Sequence, residues 1–175
     1  MIKKPFPHLE IKDFLKKDEA LNLLKKLKKQ KLYPKKSDLF QFSQTNDLLK
    51  NKGFRELVKH LTSKEFISYL ENKTKIKLNG KIDLFGSSYQ DTDFLLPHDD
   101  RLSGRKIAFM LYLSDLKNED GGAFLLYGKN NVEKKTVPKF NRFVFFEVSP
   151  QSLHGVEEVV GRKKRYALSG WFHGN

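Results

Sequence analysis

The chain has 175 residues, 38% of them hydrophobic and fifteen of them Phe, which supplies the apolar material for one buried core and excludes an intrinsically disordered chain. It contains no Cys, so disulfides, thiolate catalysis and Cys-based zinc sites are excluded together. The net charge is +13, and twelve Lys against four acidic side chains fall within residues 1–36, so the basicity is local and suits either a solvated Lys-rich helix or a phosphate-bearing partner.

The N-terminal "MIKKPFPHLEIKDFL" has two lysines but neither a continuous apolar stretch nor a small-residue cleavage site, so no signal peptide is expected. No run approaches the ~18 apolar residues of a membrane span, and a soluble cytoplasmic protein without membrane contact is the expectation. "FPHLEIKDFL" reads as a short strand leading into a helix. From about Asp13 to Gln30, the residues Ala20, Leu23, Leu24 and Leu27 form an apolar stripe at helical spacing, and Pro34 ends that element. Phe54, Leu57, Val58 and Leu61 predict a second helix over 52–61. Thr62 with Glu65 three residues later offers a capping box for a third, running to about Glu71. Beyond residue 80 the period changes to two in "KIAFMLYLS", "GGAFLLYG", "RFVFFEVS", "HGVEEVV" and "RYALSGWF", separated by Gly, Asn, Asp and Pro. The expected fold is α+β, mainly β, as a single domain over 1–175. Helical support over about 10–75 packs on one side of a jelly-roll core over about 80–173.

Chemistry concentrates in "LLPHDDRLSGRK". In an extended segment His98 and Asp100 share a face while Asp99 points away. Two histidines with one carboxylate can form a facial triad for non-haem Fe(II), but H-x-D alone also fits a solvated acidic turn, so a second histidine is required. His8 lies in the N-terminal strand, His60 beside the apolar face of a helix, and His173 almost at the end of the chain. His154 follows a Pro turn and starts a strand of the same β-core, which makes it the best third ligand. In "RYALSGWF", Arg165, Ala167 and Ser169 fall on one face, with Tyr166, Leu168 and Phe172 on the other. A guanidinium beside two small side chains describes a slot for a carboxylate, although Arg165 by itself also fits the end of a basic turn.

Together with these residues, "FPHLEIKDFL", "SDLFQFSQTNDL", "LPHDD", "RKIAFMLYLSD", "EDGGAFLLYG", "NRFVFFEVSPQSLHGVEEV" and "RYALSGWFH" span nearly the whole chain. In them it resembles the Fe(II)- and 2-oxoglutarate-dependent oxygenases, specifically the prolyl hydroxylases that modify a small-subunit ribosomal protein. The resemblance implies a double-stranded β-helix, with His98, Asp100 and His154 as iron ligands and Arg165 gripping the distal carboxylate of 2-oxoglutarate. It also implies help from two tyrosines, at the matching positions Tyr89 and Tyr112. O₂ would be the oxidant and ascorbate a supporting reductant. The partner would be a proline-containing protein, either ribosomal or a translation elongation factor. Contact between RNA and the Lys-rich segment 12–36 is a further expectation.

Eukaryotic members of that family carry a second, non-catalytic β-helix domain, whereas this sequence reads as a minimal catalytic domain. Two alternatives remain open at this level. One is a nucleic-acid demethylase using the same iron and cosubstrate; the other is a non-catalytic jelly-roll binding module.

Overall fold

The computed structural model describes residues 1–129 and 131–175. In chain order the elements are β1 (His8–Ile11), α1 (Lys17–Lys28), β2 (Tyr33–Ser37), β3 (Phe40–Gln44), α2 (Arg55–Leu61), α3 (Lys64–Thr74), β4 (Phe85–Tyr89) and β5 (Phe94–His98). There follow β6 (Arg105–Tyr112), β7 (Phe124–Tyr127), β8 (Val132–Thr136), β9 (Arg142–Glu147), β10 (His154–Val156) and β11 (Arg165–His173). Among the described residues no helix is long and apolar enough to cross a membrane.

Among the described residues, eleven strands join one antiparallel sheet in the order β1-β9-β6-β11-β4-β3-β5-β10-β7-β8, with β2 added beside β3. The sheet curls so that β5, β10 and β7 face β4, β11 and β6 across a cavity, the jelly-roll arrangement expected. Period-two alternation explains how one strand serves two sides. On β6, Ile107, Phe109 and Leu111 pack outward against the helices, whereas Ala108, Met110 and Tyr112 point into the curl. On β9, Phe143 and Phe145 go outward while Val144 and Phe146 go inward. The outer face meets Ala20, Leu23 and Leu27 of α1, Leu57 and Leu61 of α2, and Phe66 and Leu70 of α3. Each such Leu or Phe side chain contributes roughly 1.5–3 kcal/mol when fully buried. The helices thus brace one side of the sheet, and the cavity opens on the other.

Several local expectations shift. The first helix is shorter than the predicted 13–30 stretch, and Asp13 sits outside it with φ 48°. The helix begins where the Lys16 backbone N–H donates to Glu19 at 3.1 Å. Leu24 is only half-buried, so the core stripe is Ala20, Leu23 and Leu27. The third helix is capped one residue later than predicted: Ser63 Oγ accepts from the Phe66 backbone N–H, while Thr62 Oγ1 donates back to the Val58 carbonyl. The predicted helical half also contains the hairpin β2–β3. Pro34 lies inside β2, an edge strand, where a residue without N–H costs no ladder bond.

Candidate metal centre and its pocket

β5 and β10 pair antiparallel with His98 directly opposite His154. Each ring is oriented by a main-chain carbonyl two residues earlier: His98 Nδ1 lies 2.9 Å from the Leu96 oxygen and His154 Nδ1 lies 2.7 Å from that of Ser152. Nδ1 therefore carries the proton and donates it, leaving the Nε2 lone pair of each ring aimed at Asp100. His98 Nε2 is 3.6 Å from Asp100 Oδ1 and His154 Nε2 is 3.4 Å from Oδ2. One ligand atom from each of the three residues lies within 4.8 Å of the other two. Lone pairs converging on a carboxylate require a cation between them, either protons or a metal ion, and this donor set suits a divalent metal such as Fe(II). Asp99 turns away, as its alternation predicts, and pairs with Arg101 at 3.1 Å.

The electrostatics agree with that demand. Burial resists charge on the Asp100 carboxyl, but hydrogen bonds and charge from His154 and His98 prevail and hold it well below the usual carboxylate range. Burial likewise opposes charge on His98, yet Asp100 and the Leu96 carbonyl raise its pKa above the ordinary histidine value. A bound cation would take the place of these protons.

The three residues line a cavity of about 360 Å³ whose wall also includes Tyr89, Phe124, Phe146, Arg165 and Ala167. Arg165 stands opposite Tyr89 across the β11–β4 ladder, and Ala167 stands opposite Tyr112 across β11–β6. The Arg165 guanidinium lies 4.9 Å from the Tyr89 ring centroid and 5.2 Å from that of Tyr112. It is 3% exposed, and its Nε has no hydrogen-bond partner. Among the described residues no carboxylate lies within ion-pair distance of it. A buried cation without a counter-charge in a cavity suits an anionic ligand, and its planar fork suits a carboxylate. Ala167 beside it leaves the room. Tyr112 is wholly buried and its hydroxyl donates to Met110 Sδ at 3.0 Å, so it backs Arg165 rather than forming the cavity wall. Burial pushes its phenol up to about 12 against the pull of Arg165, and raises Tyr89 in the same way; both remain protonated donors.

Sequence reasoning missed the outer part of the cavity, where Leu39, Phe40 and Leu96 meet Arg105 and Trp171. The only signal was the small-residue turn "SGR" ahead of a strand. The remaining histidines lie elsewhere. His8 is buried, with Nδ1 2.8 Å from the Phe6 oxygen and Lys134 Nζ donating to Nε2 at 2.8 Å. His60 packs edge-on against Phe14. His173 reaches Asp83 at 2.9 Å.

A family model described as the 2OG-Fe(II) oxygenase superfamily matches residues 84–173. The chain is 41% identical over 180 residues to the prolyl 3-hydroxylase OGFOD1 of Xenopus laevis, covering 97% of this chain and 35% of that protein. It thus spans about a third of the length of the curated relatives it matches most fully. The double-stranded β-helix appears in solved structures. One is a Pseudomonas putida prolyl-4-hydroxylase, with TM-score 0.82, 19% identity, and coverage of 96% of this chain and 92% of that one. A second is a Trichoplax adhaerens prolyl hydroxylase in complex with a hypoxia inducible factor oxygen degradation domain peptide fragment, with TM-score 0.78, 19% identity, and coverage of 95% and 83%. By the family model and the fold together, the chain belongs to the 2OG-Fe(II) oxygenase superfamily.

Proposed function

We propose that this chain, acting as one catalytic unit, hydroxylates a prolyl residue of a protein, with His98, Asp100 and His154 holding Fe(II). Arg165 grips the far carboxylate of 2-oxoglutarate, Tyr89 donates beside it, and Tyr112 backs the guanidinium. Bound iron with 2-oxoglutarate and O₂ supplies the oxidising power: one oxygen atom enters the acceptor C–H bond as 2-oxoglutarate becomes succinate and CO₂. The chain's own residues do the rest. The carbonyls of Leu96 and Ser152 fix the ligand rings, and Phe124 and Phe146 keep the wall behind His154 apolar. Phe40, Leu95 and Trp171 offer a prolyl ring an apolar seat.

The observation that carries this reading is one cavity holding both the His-Asp-His cluster and a buried guanidinium that has no counter-charge among the described residues. The choice of proline draws on the relatives named as prolyl hydroxylases. The sequence resemblance favours a ribosomal or other translation-related acceptor, a cytoplasmic location and ascorbate as supporting reductant. RNA around such an acceptor would meet the exposed Lys35 and Lys36 on β2, close in sequence to Leu39 and Phe40 at the cavity mouth.

The test is incubation with Fe(II), ascorbate and 2-oxoglutarate, followed by mass spectrometry of ribosomal and elongation-factor peptides. A gain of 16 Da on proline, with succinate formation abolished in a still folded His154→Ala variant, is the expected result. Loss of a methyl group from oligonucleotides instead would replace the proposal with demethylation, and failure of the native protein to take up metal would end it.

A further inference from the structure

His173 occupies a position that its place near the end of the chain did not suggest. On the β11–β6 ladder it stands opposite Arg105. Its Nε2 lies 2.9 Å from Asp83 Oδ2, and Arg105 Nε lies 4.0 Å from the same oxygen. The Arg105 guanidinium is stacked on the Trp171 ring, with Cζ 3.4 Å from the centroid. Trp171 and His173 are two residues apart on β11, and a register shift in the β11–β6 ladder between Phe172 and His173 skips Lys106, so that Arg105 rather than Lys106 stands opposite His173. The backbone clips Asp83 into this group: its N–H donates to the Trp171 carbonyl, and the His173 N–H donates to Lys81, both at 2.9 Å. Gly104 is fitted to the arrangement twice, by φ 85° and because a Cβ there would lie 3.0 Å from His173 Nδ1.

Arg105 and Trp171 both line the cavity that holds His98, Asp100 and His154. With one face on the indole and Nε 4.0 Å from Asp83, an attraction of charge rather than a hydrogen bond, the guanidinium makes no side-chain hydrogen bond among the described residues and keeps its N–H groups for a ligand. A prolyl residue offers no N–H, so main-chain recognition beside it falls on carbonyl oxygens, and these need a donor. A long arginine otherwise loses much rotamer freedom on binding; one already fixed does not.

We propose that Asp83 and His173 form a positioning pair that holds the Arg105 guanidinium flat on Trp171, so that its outer N–H groups bind a main-chain carbonyl of the acceptor peptide beside the target proline. The pair acts through Arg105 and touches neither metal nor cosubstrate. This inference rests on the prolyl reading above for its ligand, but the positioning itself can be read without one.

Trp171 is the sole tryptophan, so fluorescence excited at wavelengths that only indole absorbs reports on the ring against which Arg105 stacks. In the metal-free full chain, His173→Ala and Arg105→Ala should each raise acrylamide quenching of Trp171, and the double variant should exceed neither single variant. His173→Gln, which keeps an N–H donor toward Asp83, should stay close to wild type and control for folding. With a proline peptide from the mass-spectrometric screen as probe, His173→Ala should raise the peptide KM about tenfold, the worth of one hydrogen bond from a charged donor, and lower kcat much less. Additive quenching changes, quenching unaffected by His173→Ala, or an unchanged peptide KM would each overturn the proposal. If the wild type hydroxylates no proline, the prolyl reading falls, and the quenching cycle still decides whether the pair positions Arg105.

Discussion

Replacing Arg165 with Met separates the stability of the empty protein from its ability to bind a cosubstrate. The guanidinium is 3% exposed, its Nε lacks a partner, and among the described residues no carboxylate balances its charge. An unsatisfied buried donor costs about 1–3 kcal/mol and desolvation of the cation several more. The rings of Tyr89 and Tyr112, at 4.9 and 5.2 Å, return about 2 kcal/mol each when desolvated. The balance is a net cost of about 2 kcal/mol in the free protein. Methionine fills a similar length without charge, so Arg165→Met should raise Tm by roughly 4–8 °C for a chain of this size. Binding should move the other way. With Fe(II) under nitrogen, 2-oxoglutarate at a hundred times its Kd should stabilise the wild type by about 2.7 kcal/mol and the variant not at all. Differential scanning fluorimetry reads both shifts. A Met variant that melts below wild type without ligand would refute the cost assigned to the unpaired cation; one still stabilised by 2-oxoglutarate would refute its role.

Ala167→Leu should place a side chain in the slot beside Arg165, costing about 1–3 kcal/mol by overpacking; it should abolish the melting shift with 2-oxoglutarate and keep the shift with metal, both read by the same fluorimetry. Glu10 supplies a pH dependence. Burial raises its carboxyl, but hydrogen bonds from Lys134 and Thr136 and the charges of Lys134 and Arg142 outweigh this and leave its pKa below the ordinary value. Its contribution is therefore complete above the unfolded pKa of about 4.3 and is lost as pH falls through the lower folded value. Glu10→Gln should lower Tm at pH 7 and flatten its fall in that acidic range, as followed by circular dichroism; an equally steep fall would remove Glu10 from the account.

The inward-facing residues were legible because strands alternate. His98 and Asp100 separate from Asp99 as parity predicts, although β5 ends at His98 and the Asp99–Arg101 pair helps to turn Asp99 away; Arg165, Ala167 and Ser169 separate from Leu168 and Phe172 within β11 itself. The roles of Tyr89 and Tyr112 came only from resemblance: Tyr112 lies in a predicted strand, but nothing in "FGSSY", which ends in Tyr89, announces one. That segment is small because Gly86 packs directly against Leu27 of α1, a contact no local pattern encodes. β8 was missed because "VEKKT" lies at an edge and is polar, and the hairpin β2–β3 because Pro34 reads as a terminator. The group formed by Asp83, Arg105, Trp171 and His173 draws on three separated segments, so only the folded chain brings it together.

The lysines of β2 have a consequence of another kind. The sheet is open: among the described residues β1, β2 and β8 are outer strands, each laddered to a single neighbouring strand. Such borders invite a second molecule to continue the sheet and begin an aggregate. Here β2 presents the exposed Pro34, Lys35 and Lys36, whereas the β8 lysines are engaged, Lys134 with Glu10 and Lys135 with Glu157. A second copy approaching β2 in register would meet like charge and a missing donor. Part of the lysine excess thus keeps copies of this chain apart at high concentration, whatever else it attracts.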